Sequence, residues 1–347
     1  MHVLLATSQY APELGGVPRL LSLYSQHRPA ATALDVLSVR QQPADFYAAY
    51  DRAAGHAITR VAPRRGPGAT SLAFARALRR TRADVILAGV AYPTAILTRL
   101  ARPFPTPYVV YAHSEDVTIQ HPLKRRLLAW ALQGATAVLT VSRFTAHELS
   151  RLGVAADRIH IVPPGIEVDQ FAAAPPHTGW PGKWVLLTVA RLVFRKGQDT
   201  VIRALPRLLP HAPNLHYVVA GSGPDAAALR RLAADLGVAG HVSFVGRLAD
   251  DILPAYYRRC NAFAMITRPA ATEVEGFGIA FIEAGAAGRP VIAGRAGGVA
   301  DAVQDGVTGL LVDPLDVDAV ANAILHLYRQ PAQARQMGAN AFHHVLQ

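Results

Sequence analysis

Residues 184–221 read WVLLTVARLVFRKGQDTVIRALPRLLPHAPNLHYVVAG. The stretch begins and ends with short apolar, β-branched runs, at 184–190 and 216–221, which are typical of β-strands. Between them, residues 199–210 have the pattern of a helix. A strand, a helix and a second strand in this order predict a βαβ unit, and therefore a mainly parallel sheet.

The same alternation of strand and helix extends along the whole chain. Comparable apolar runs occur in the first half at 2–6, 84–88, 108–112, 137–141 and 160–163, and in the second half at 184–190, 216–221, 241–246, 262–266 and 290–294. Segments of helical pattern fill the spaces between them, and several end at a glycine, as helices commonly do. We therefore expect an α/β protein with two Rossmann-like, doubly wound parallel-sheet domains.

A segment between the two halves has the composition of a linker. Residues 162–183, VPPGIEVDQFAAAPPHTGWPGK, are rich in Pro and Gly and show little periodicity. A chain of 347 residues is long enough for two domains, each with its own core. We predict an N-terminal domain at 1–174, a linker at 175–182 and a C-terminal domain at 183–347.

The charge balance is strongly basic. The chain has 35 Lys and Arg against 24 Asp and Glu, a formal net charge of +11, and basic residues gather at 60–82 and 124–126. Two interpretations stay open: a solvated basic face, or contact with an anionic membrane surface. Nucleic acid is not an expected partner, because no aromatic-interleaved or zinc-based recognition motif is visible.

Other compositional features indicate a cytoplasmic protein. The single cysteine, Cys260, lies in an apolar run, which favours a buried thiol over a nucleophile. No stretch reaches the roughly 18 consecutive apolar residues of a membrane span. The first residues also lack the basic region and cleavage site of an export signal.

Chemically distinctive residues follow the predicted strands at their carboxyl ends. In an open parallel sheet ligands bind at this edge, and helix N-termini point towards it. The second half places there Arg191, Lys196, Gly221, Gly223, Arg247, the segment 273–278 and Gly297-Gly298. The first half places there Gly15, Gly16 and the segment 113–116. Two such edges that face each other would form a cleft.

The segment 275–293, EGFGIAFIEAGAAGRPVIA, carries the strongest single signal. Glycines 276 and 278 place Glu275 on a loop, whereas Glu283 falls in the first or second turn of the helix that follows. The Gly-Phe-Gly backbone and the helix N-terminus suit a phosphate, and Arg191 and Lys196 add positive charge. We therefore expect a diphosphate site, in which the buried carboxylate of Glu283 requires a partner or a ligand hydroxyl.

Taken together, these motifs resemble the retaining glycosyltransferases of family four, which have the GT-B architecture. The resemblance covers nearly the whole chain. It rests on Pro12 with Gly15-Gly16, His113, VSRFTAHEL, VPPGIEVDQF, RLVFRKGQDTVIRALP, and the pair Glu275 and Glu283 with seven residues between them. It implies two Rossmann-like domains that face each other across a cleft, with the acceptor on the first domain and the nucleotide-sugar donor on the second.

The resemblance also assigns roles to individual residues. It implies catalytic roles for Glu275, His113, Arg191 and Lys196. The resemblance and the positions at strand ends together predict a donor site formed by Gly15, Gly16, Arg191, Lys196, Gly221, Gly223, Arg247, Glu275, Gly276, Phe277, Gly278, Ile279 and Glu283. In such a site Arg191 and Lys196 hold the diphosphate, Glu275 binds hydroxyls of the transferred sugar, and His113 lies near the anomeric carbon. The resemblance implies no metal ion. It also implies no cofactor, because the nucleotide sugar is a substrate.

The implied reaction is transfer of a hexose with retention, in which the leaving phosphate acts as the base. The sequence looks most like the branch that mannosylates phosphatidylinositol lipids from GDP-mannose, with a UDP-hexose as the next candidate donor. The acceptor is a hydroxyl of a glycan, a lipid-linked glycan or a small molecule in the synthesis of envelope polysaccharide or glycolipid. The alternatives are a sugar-nucleotide epimerase and a non-catalytic sugar-binding protein.

One predicted helix raises the question of membrane contact. Residues 121–133, HPLKRRLLAWALQ, combine Lys124, Arg125 and Arg126 with leucines and Trp130, which suits a helix on an anionic lipid surface at the inner face of the membrane. The alternative is a helix packed on its own sheet with a basic outer face. Family members usually continue beyond the position of Gln347 through a helix that returns to the first domain, so we expect a shortened C-terminus.

Overall fold

The computed structural model describes residues 1–13, 15–66, 68–103, 105–270 and 273–347. These residues form two compact units, Met1–Gly165 and Ile166–Gln347. Each unit has one sheet in which every strand pair is parallel, with helices in the crossover connections. The predicted pair of Rossmann-like parallel-sheet domains is thereby confirmed.

The first unit has a seven-stranded sheet in the order β3-β2-β1-β4-β5-β6-β7. Its strands are β1 His2–Thr7, β2 Ala33–Val39, β3 Ala57–Val61, β4 Val85–Ala88, β5 Tyr108–Ala112, β6 Ala137–Thr140 and β7 Ile159–Ile161. Its helices are α1 Gly16–Gln26, α2 Ala44–Ala53, α3 Ala69–Arg80, α4 Ile96–Ala101, α5 Ser114–Val117, α6 Pro122–Gln133 and α7 Arg143–Arg151. A π-helical turn at Ala91–Ala95 leads into α4.

The second unit has a six-stranded sheet in the order β10-β9-β8-β11-β12-β13. Its strands are β8 Trp184–Val189, β9 Leu215–Ala220, β10 Val242–Gly246, β11 Ala262–Met265, β12 Val291–Gly294 and β13 Gly309–Val312. Its helices are α8 Val168–Ala172, α9 Gln198–Leu208, α10 Ala226–Asp235, α11 Leu253–Arg259, α12 Ile279–Ala286, α13 Val299–Ala302, α14 Val317–Arg329 and α15 Pro331–Val345.

The core of the second unit explains why its sequence forms these elements. All six residues of β9 are buried, because helices cover both faces of a parallel sheet. Helix α9 packs its apolar face, which includes Val201, Leu205 and Leu208, against this sheet. Cys260 is completely buried at the end of α11, and burial raises the pKa of its thiol to about 12. The thiol is thus part of the core, as the sequence predicts.

The division between the units falls before the predicted linker at 175–182. Helix α8 and the segment after it pack on the second unit, although they precede its first strand. The ring of Phe171 meets the ring of Tyr257 edge to face at 5.6 Å, and the N–H of His177 donates to the carbonyl oxygen of Ala255 over 2.9 Å. The chain therefore passes from one unit to the other at Gly165–Ile166, because apolar contacts of α8 attach the next residues to the second core.

Candidate active site

The turn between β8 and α9 brings two basic side chains to the carboxyl edge of the second sheet. A 3₁₀ turn, Phe194–Lys196, ends at Gly197, which has a φ of +70°. A Cβ atom at Gly197 would lie 2.0 Å from the carbonyl oxygen of Ile266, so only glycine permits this approach to the residue after β11. The close packing places Arg195 and Lys196 beside the loop that follows β11.

Glu275, on that loop, receives both basic groups. The ammonium Nζ of Lys196 donates to Oε2 of Glu275 over 2.5 Å, and Nη1 of Arg195 donates to the same oxygen over 2.9 Å. The guanidinium Nε of Arg195 donates to Oε2 of Glu273 over 3.1 Å. The side chains of Arg195, Lys196 and Glu275 are 9%, 14% and 12% exposed. Glu275 therefore lies in a nearly buried ion-pair cluster at the edge where ligands bind in this class of sheet.

Burial and charge act in opposite directions on Glu275. Burial alone would raise the pKa of its carboxyl, but the charges and hydrogen bonds of Lys196 and Arg195 outweigh that effect and lower the pKa below its ordinary value. The carboxylate is thus ionised at neutral pH, and both of its oxygens act only as hydrogen-bond acceptors.

Backbone contacts fix the position of the Glu275 loop. The N–H of Gly298, after β12, donates to the carbonyl oxygen of Glu275 over 2.9 Å. Gly297 has a φ of +54°, and a Cβ atom there would lie 2.3 Å from the same oxygen. At the other end of the loop, Gly278 has a φ of +92° and precedes Ile279, the first residue of α12. Gly276 and Phe277 lie between these anchored ends.

Glu283 occupies the second turn of α12, as predicted, and its side chain is buried with 4% of its surface exposed. The hydroxyl of Tyr257 in α11 donates to its Oε2 over 2.7 Å. A charge in the core is costly unless it is paired, and this hydrogen bond offsets part of that cost. The tyrosine is a partner that sequence reasoning did not identify.

The remaining predicted residues of the second unit are two exposed arginines and two glycines in closely packed loops. Arg191 and Arg247 are exposed at the carboxyl edge, after β8 and β10. Gly221 and Gly223 allow close packing of loops, because Cβ atoms there would lie 1.9 Å from the carbonyl oxygen of Ala190 and 2.3 Å from that of Leu192. The four paired charges around Glu275 cancel, so the two exposed arginines add an excess of positive charge to this edge.

In the first unit, His113 lies at the carboxyl end of β5. Its Nε2 is 3.1 Å from the carbonyl oxygen of Gly89, which can only accept, so Nε2 carries a hydrogen and a neutral ring keeps Nδ1 as an acceptor. Asp116 holds the surrounding backbone: its carboxylate accepts from the N–H groups of Ala91, Tyr92 and His113 over 2.9, 3.1 and 3.1 Å. The histidine is therefore oriented by both the β4 and the β5 connections.

The other predicted residues of this unit, Gly15 and Gly16, begin α1. Gly15 precedes the helix with a φ of +145°, and Gly16 is its first residue. The roles predicted for these glycines and for His113 stay predictions.

Besides Tyr257, sequence reasoning missed two residues of the second unit. Arg195 joins Glu273 to Glu275, and Arg268 pairs with Asp199 over 2.5 Å while its guanidinium lies 3.5 Å from the ring centre of Phe194. The run of two basic residues before Gly197 was a usable signal for Arg195.

Across the residues that the structure describes, no group of three or more His, Cys, Asp or Glu side chains is arranged to hold a metal ion. In the same part of the chain, no helix is both long and apolar enough to cross a membrane.

The sequence matches known families along most of its length. Residues 15–170 match the family described as Glycosyltransferase Family 4, and residues 171–344 match the family described as Glycosyl transferases group 1. Among the chain's relatives is the GDP-mannose-dependent α-(1-6)-phosphatidylinositol monomannoside mannosyltransferase of Mycolicibacterium smegmatis, 34% identical, with 99% of this chain and 94% of the relative covered. The enzyme of the same name from Mycobacterium tuberculosis is 35% identical, with 97% of this chain and 92% of the relative covered.

Solved structures share the fold. Anabaena HepE in complex with UDP is similar over 99% of this chain and 94% of its own, with a TM-score of 0.80 and 20% identity. Sucrose-phosphate synthase from Thermosynechococcus elongatus is similar over the same shares, with a TM-score of 0.81 and 23% identity. The chain is thus a glycosyltransferase with the GT-B fold. It belongs to glycosyltransferase family 4, as its motifs indicate.

Proposed function

We propose that the chain transfers a mannosyl group from GDP-mannose, with retention of configuration and without a metal ion, to a hydroxyl of a phosphatidylinositol mannoside or a related envelope glycolipid. The observation that carries this proposal is the placement of ionised Glu275 against Lys196 at the carboxyl edge of the second sheet. The names of the 34% and 35% identical mycobacterial relatives support GDP-mannose as the donor and a phosphatidylinositol mannoside as the acceptor.

The proposed donor site uses the cations and amides of this edge. Lys196 and Arg191 bind the diphosphate, and the amides of Phe277, Gly278 and Ile279 line the phosphate and sugar at the start of α12. Glu275 accepts hydrogen bonds from sugar hydroxyls. Glu283 binds the ribose while Tyr257 keeps its hydrogen bond to the same carboxylate.

The chemistry follows from where charge develops. As the nucleoside diphosphate leaves, negative charge grows on its phosphate, and cations that pair with it when the donor binds stabilise the transition state without further reorganisation. Positive charge grows on the anomeric carbon, and the carboxylate of Glu275 lies on the sugar side of the same cluster. The leaving phosphate oxygen accepts the proton of the attacking hydroxyl, which therefore arrives from the same face of the sugar.

A transfer assay with donors compared in parallel tests this function. The protein is incubated with radiolabelled GDP-mannose, UDP-glucose or UDP-galactose, each with and without a phosphatidylinositol monomannoside acceptor. We expect label in the lipid fraction from GDP-mannose only. Donor that is epimerised in the absence of acceptor would instead support an epimerase. Donor that is bound but never consumed would support a non-catalytic sugar-binding protein.

We also propose that α6 places the enzyme on an anionic membrane surface, where a lipid acceptor resides. Leu123, Leu127 and Trp130 are 61%, 43% and 39% exposed. At about 100° per residue they fall within an arc of about 60°, while Leu128 and Leu132 on the other side are buried. An exposed apolar stripe with neighbouring cations suits the boundary between headgroups and acyl chains.

Cosedimentation with lipid vesicles tests this contact. Vesicles that contain phosphatidylglycerol are expected to sediment the protein, and vesicles of phosphatidylcholine alone are not. The double variant Leu123→Gln/Leu127→Gln should lose most of this binding, because it removes two apolar anchors and no charge. Leu315→Gln is a matched control, since Leu315 is 72% exposed in the second unit. Equal sedimentation of both variants would exclude α6 as the contact.

A further inference from the structure

The hydrogen bonds of Glu275 are unevenly distributed over its two oxygens. Both the ammonium of Lys196, at 2.5 Å, and the guanidinium of Arg195, at 2.9 Å, donate to Oε2. Within the described residues, Oε1 forms no hydrogen bond of its own. One oxygen is therefore held from two sides, and the other is available to a ligand hydroxyl.

The two cations differ in how firmly they are held. Arg195 uses two edges of its guanidinium at once, with Nε on Glu273 at 3.1 Å and Nη1 on Glu275. Its carbonyl oxygen also accepts from the N–H of Arg268 over 3.0 Å, which fixes its main chain to the segment after β11. Lys196 has one point contact at the end of a flexible stem. Arg195 is thus held by two side-chain contacts and one backbone contact. Lys196, with its single contact, can exchange Glu275 for another anion.

We infer that Arg195 is a positioning residue that keeps Glu275 paired through Oε2 when Lys196 leaves it for the donor diphosphate, so that Oε1 remains an ionised acceptor for the sugar. This inference rests on the proposed donor site. It goes beyond that site in assigning the hold on Glu275 to Arg195, a residue that the proposed site does not use to bind the phosphate.

Among the residues that the structure describes around Glu275, no other cation is placed to pair with its carboxylate after Lys196 has moved away. The turn before α9 presents Arg195 and Lys196, and the loop of Glu275 itself presents Glu273. In the loop after β12, Gly297 and Gly298 act through backbone atoms, and Arg295 pairs with Asp305 over 2.9 Å in an exposed contact. Arg191, which follows β8, is exposed and belongs to the proposed diphosphate site. Arg268, from the end of β11, is committed to Asp199. Without Arg195, departure of Lys196 would leave a nearly buried carboxylate with no cation, which is a strong drive to bind a proton.

If Arg195 has this role, its removal should make GDP binding take up a proton, which a purely structural role would not produce. In Arg195→Met, Glu275 is still paired with Lys196 before GDP binds and is unpaired afterwards, so binding raises the pKa of its carboxyl. A group whose pKa rises on binding takes up a proton, and binding then strengthens as the pH falls. Each unit of pKa difference corresponds to about a tenfold change in affinity.

Calorimetric titration with GDP between pH 6 and pH 8, in two buffers of different ionisation enthalpy, measures both quantities. Relative to wild type, Arg195→Met should bind GDP at least about tenfold more weakly at pH 8 and recover towards pH 6. It should also take up on the order of half a proton at pH 7 beyond the wild-type value. Arg195→Lys, which keeps a charge, should take up less. The double variant Arg195→Met/Glu275→Gln should show none of this extra uptake, because the titrating group is gone.

Two comparisons separate the possible failures. Arg207→Met is a matched control, because Arg207 pairs with Asp318 in an exposed contact on the last turn of α9. If Arg195→Met binds GDP like Arg207→Met while Lys196→Met binds weakly, the donor site stands and the role of Arg195 is refuted. Persistence of the extra proton uptake in the double variant would also refute it. If wild type binds neither GDP, UDP nor ADP, the proposed function and this inference fail together.

Discussion

The replacement of Lys196 by methionine tests the donor site most sharply, because methionine keeps an unbranched stem of four heavy atoms and removes the ammonium group with its charge and its hydrogen-bond donors. A unit charge about 4 Å from a phosphate charge, at an effective dielectric constant of about 20, is worth about 4 kcal/mol. Desolvation of the lysine, whose side chain is only 14% exposed, offsets part of this energy. We therefore expect kcat/KM to fall about 10²-fold, or about 2.7 kcal/mol.

The assay is initial-rate transfer from GDP-mannose to the lipid acceptor, with GDP affinity measured in parallel. Arg195 keeps Glu275 paired in the variant, so the melting temperature should change little. Lys183→Met is the control: Lys183 is exposed and immediately precedes β8, at the opposite end of that strand. Near-normal kcat/KM in Lys196→Met would refute the assignment of this lysine to the diphosphate.

Three further predictions address the packing and chemistry of the same unit. Tyr257→Phe removes a hydroxyl that donates to buried Glu283, and should lower the free energy of unfolding by about 1–3 kcal/mol in urea titrations; no change would mean that the hydrogen bond adds nothing. Gly197→Ala should cost clearly more than Gly237→Ala in the same titration, because both have a φ near +70° but only the first Cβ would meet a backbone oxygen; equal losses would contradict the close approach. Treatment with EDTA should leave the rate of mannosyl transfer unchanged in a metal-free buffer, whereas a loss that added Mg²⁺ reverses would overturn the proposed metal independence.

Apolar runs in the sequence predict most of the strands, but not all of them. In the part of the chain that the structure describes, ten of the thirteen strands match an apolar run, and β2, β3 and β13 do not. Strands β3 and β13 are sheet edges, so they are partly exposed and their apolar pattern is weak. Strand β2 is interior, but Asp35 and Ser38 interrupt its apolar residues. Edge position does not decide the outcome alone, because the edge strands β7 and β10 match apolar runs although none of their residues is buried.

The sequence predicts which residues lie at the candidate site, but it does not predict which of them contact each other. The rule that ligand residues follow strand ends places Lys196 and Glu275 at the same edge. Their hydrogen bond depends on β8 lying next to β11 in the sheet, and strand order is not written in local sequence. For the same reason Arg195 looks like an ordinary surface charge in the sequence, although the structure joins it to Glu273 and Glu275.

The central claim, retaining mannosyl transfer from GDP-mannose, is tested most directly by the anomeric configuration of the first product. The enzyme is given GDP-mannose labelled with ¹³C at the anomeric carbon together with the phosphatidylinositol monomannoside acceptor, and the reaction is followed by NMR. We expect that the α-configured signal of the donor is replaced by that of an α-mannoside of the lipid as GDP is released. A β-mannoside, or loss of donor without any lipid product, would contradict it.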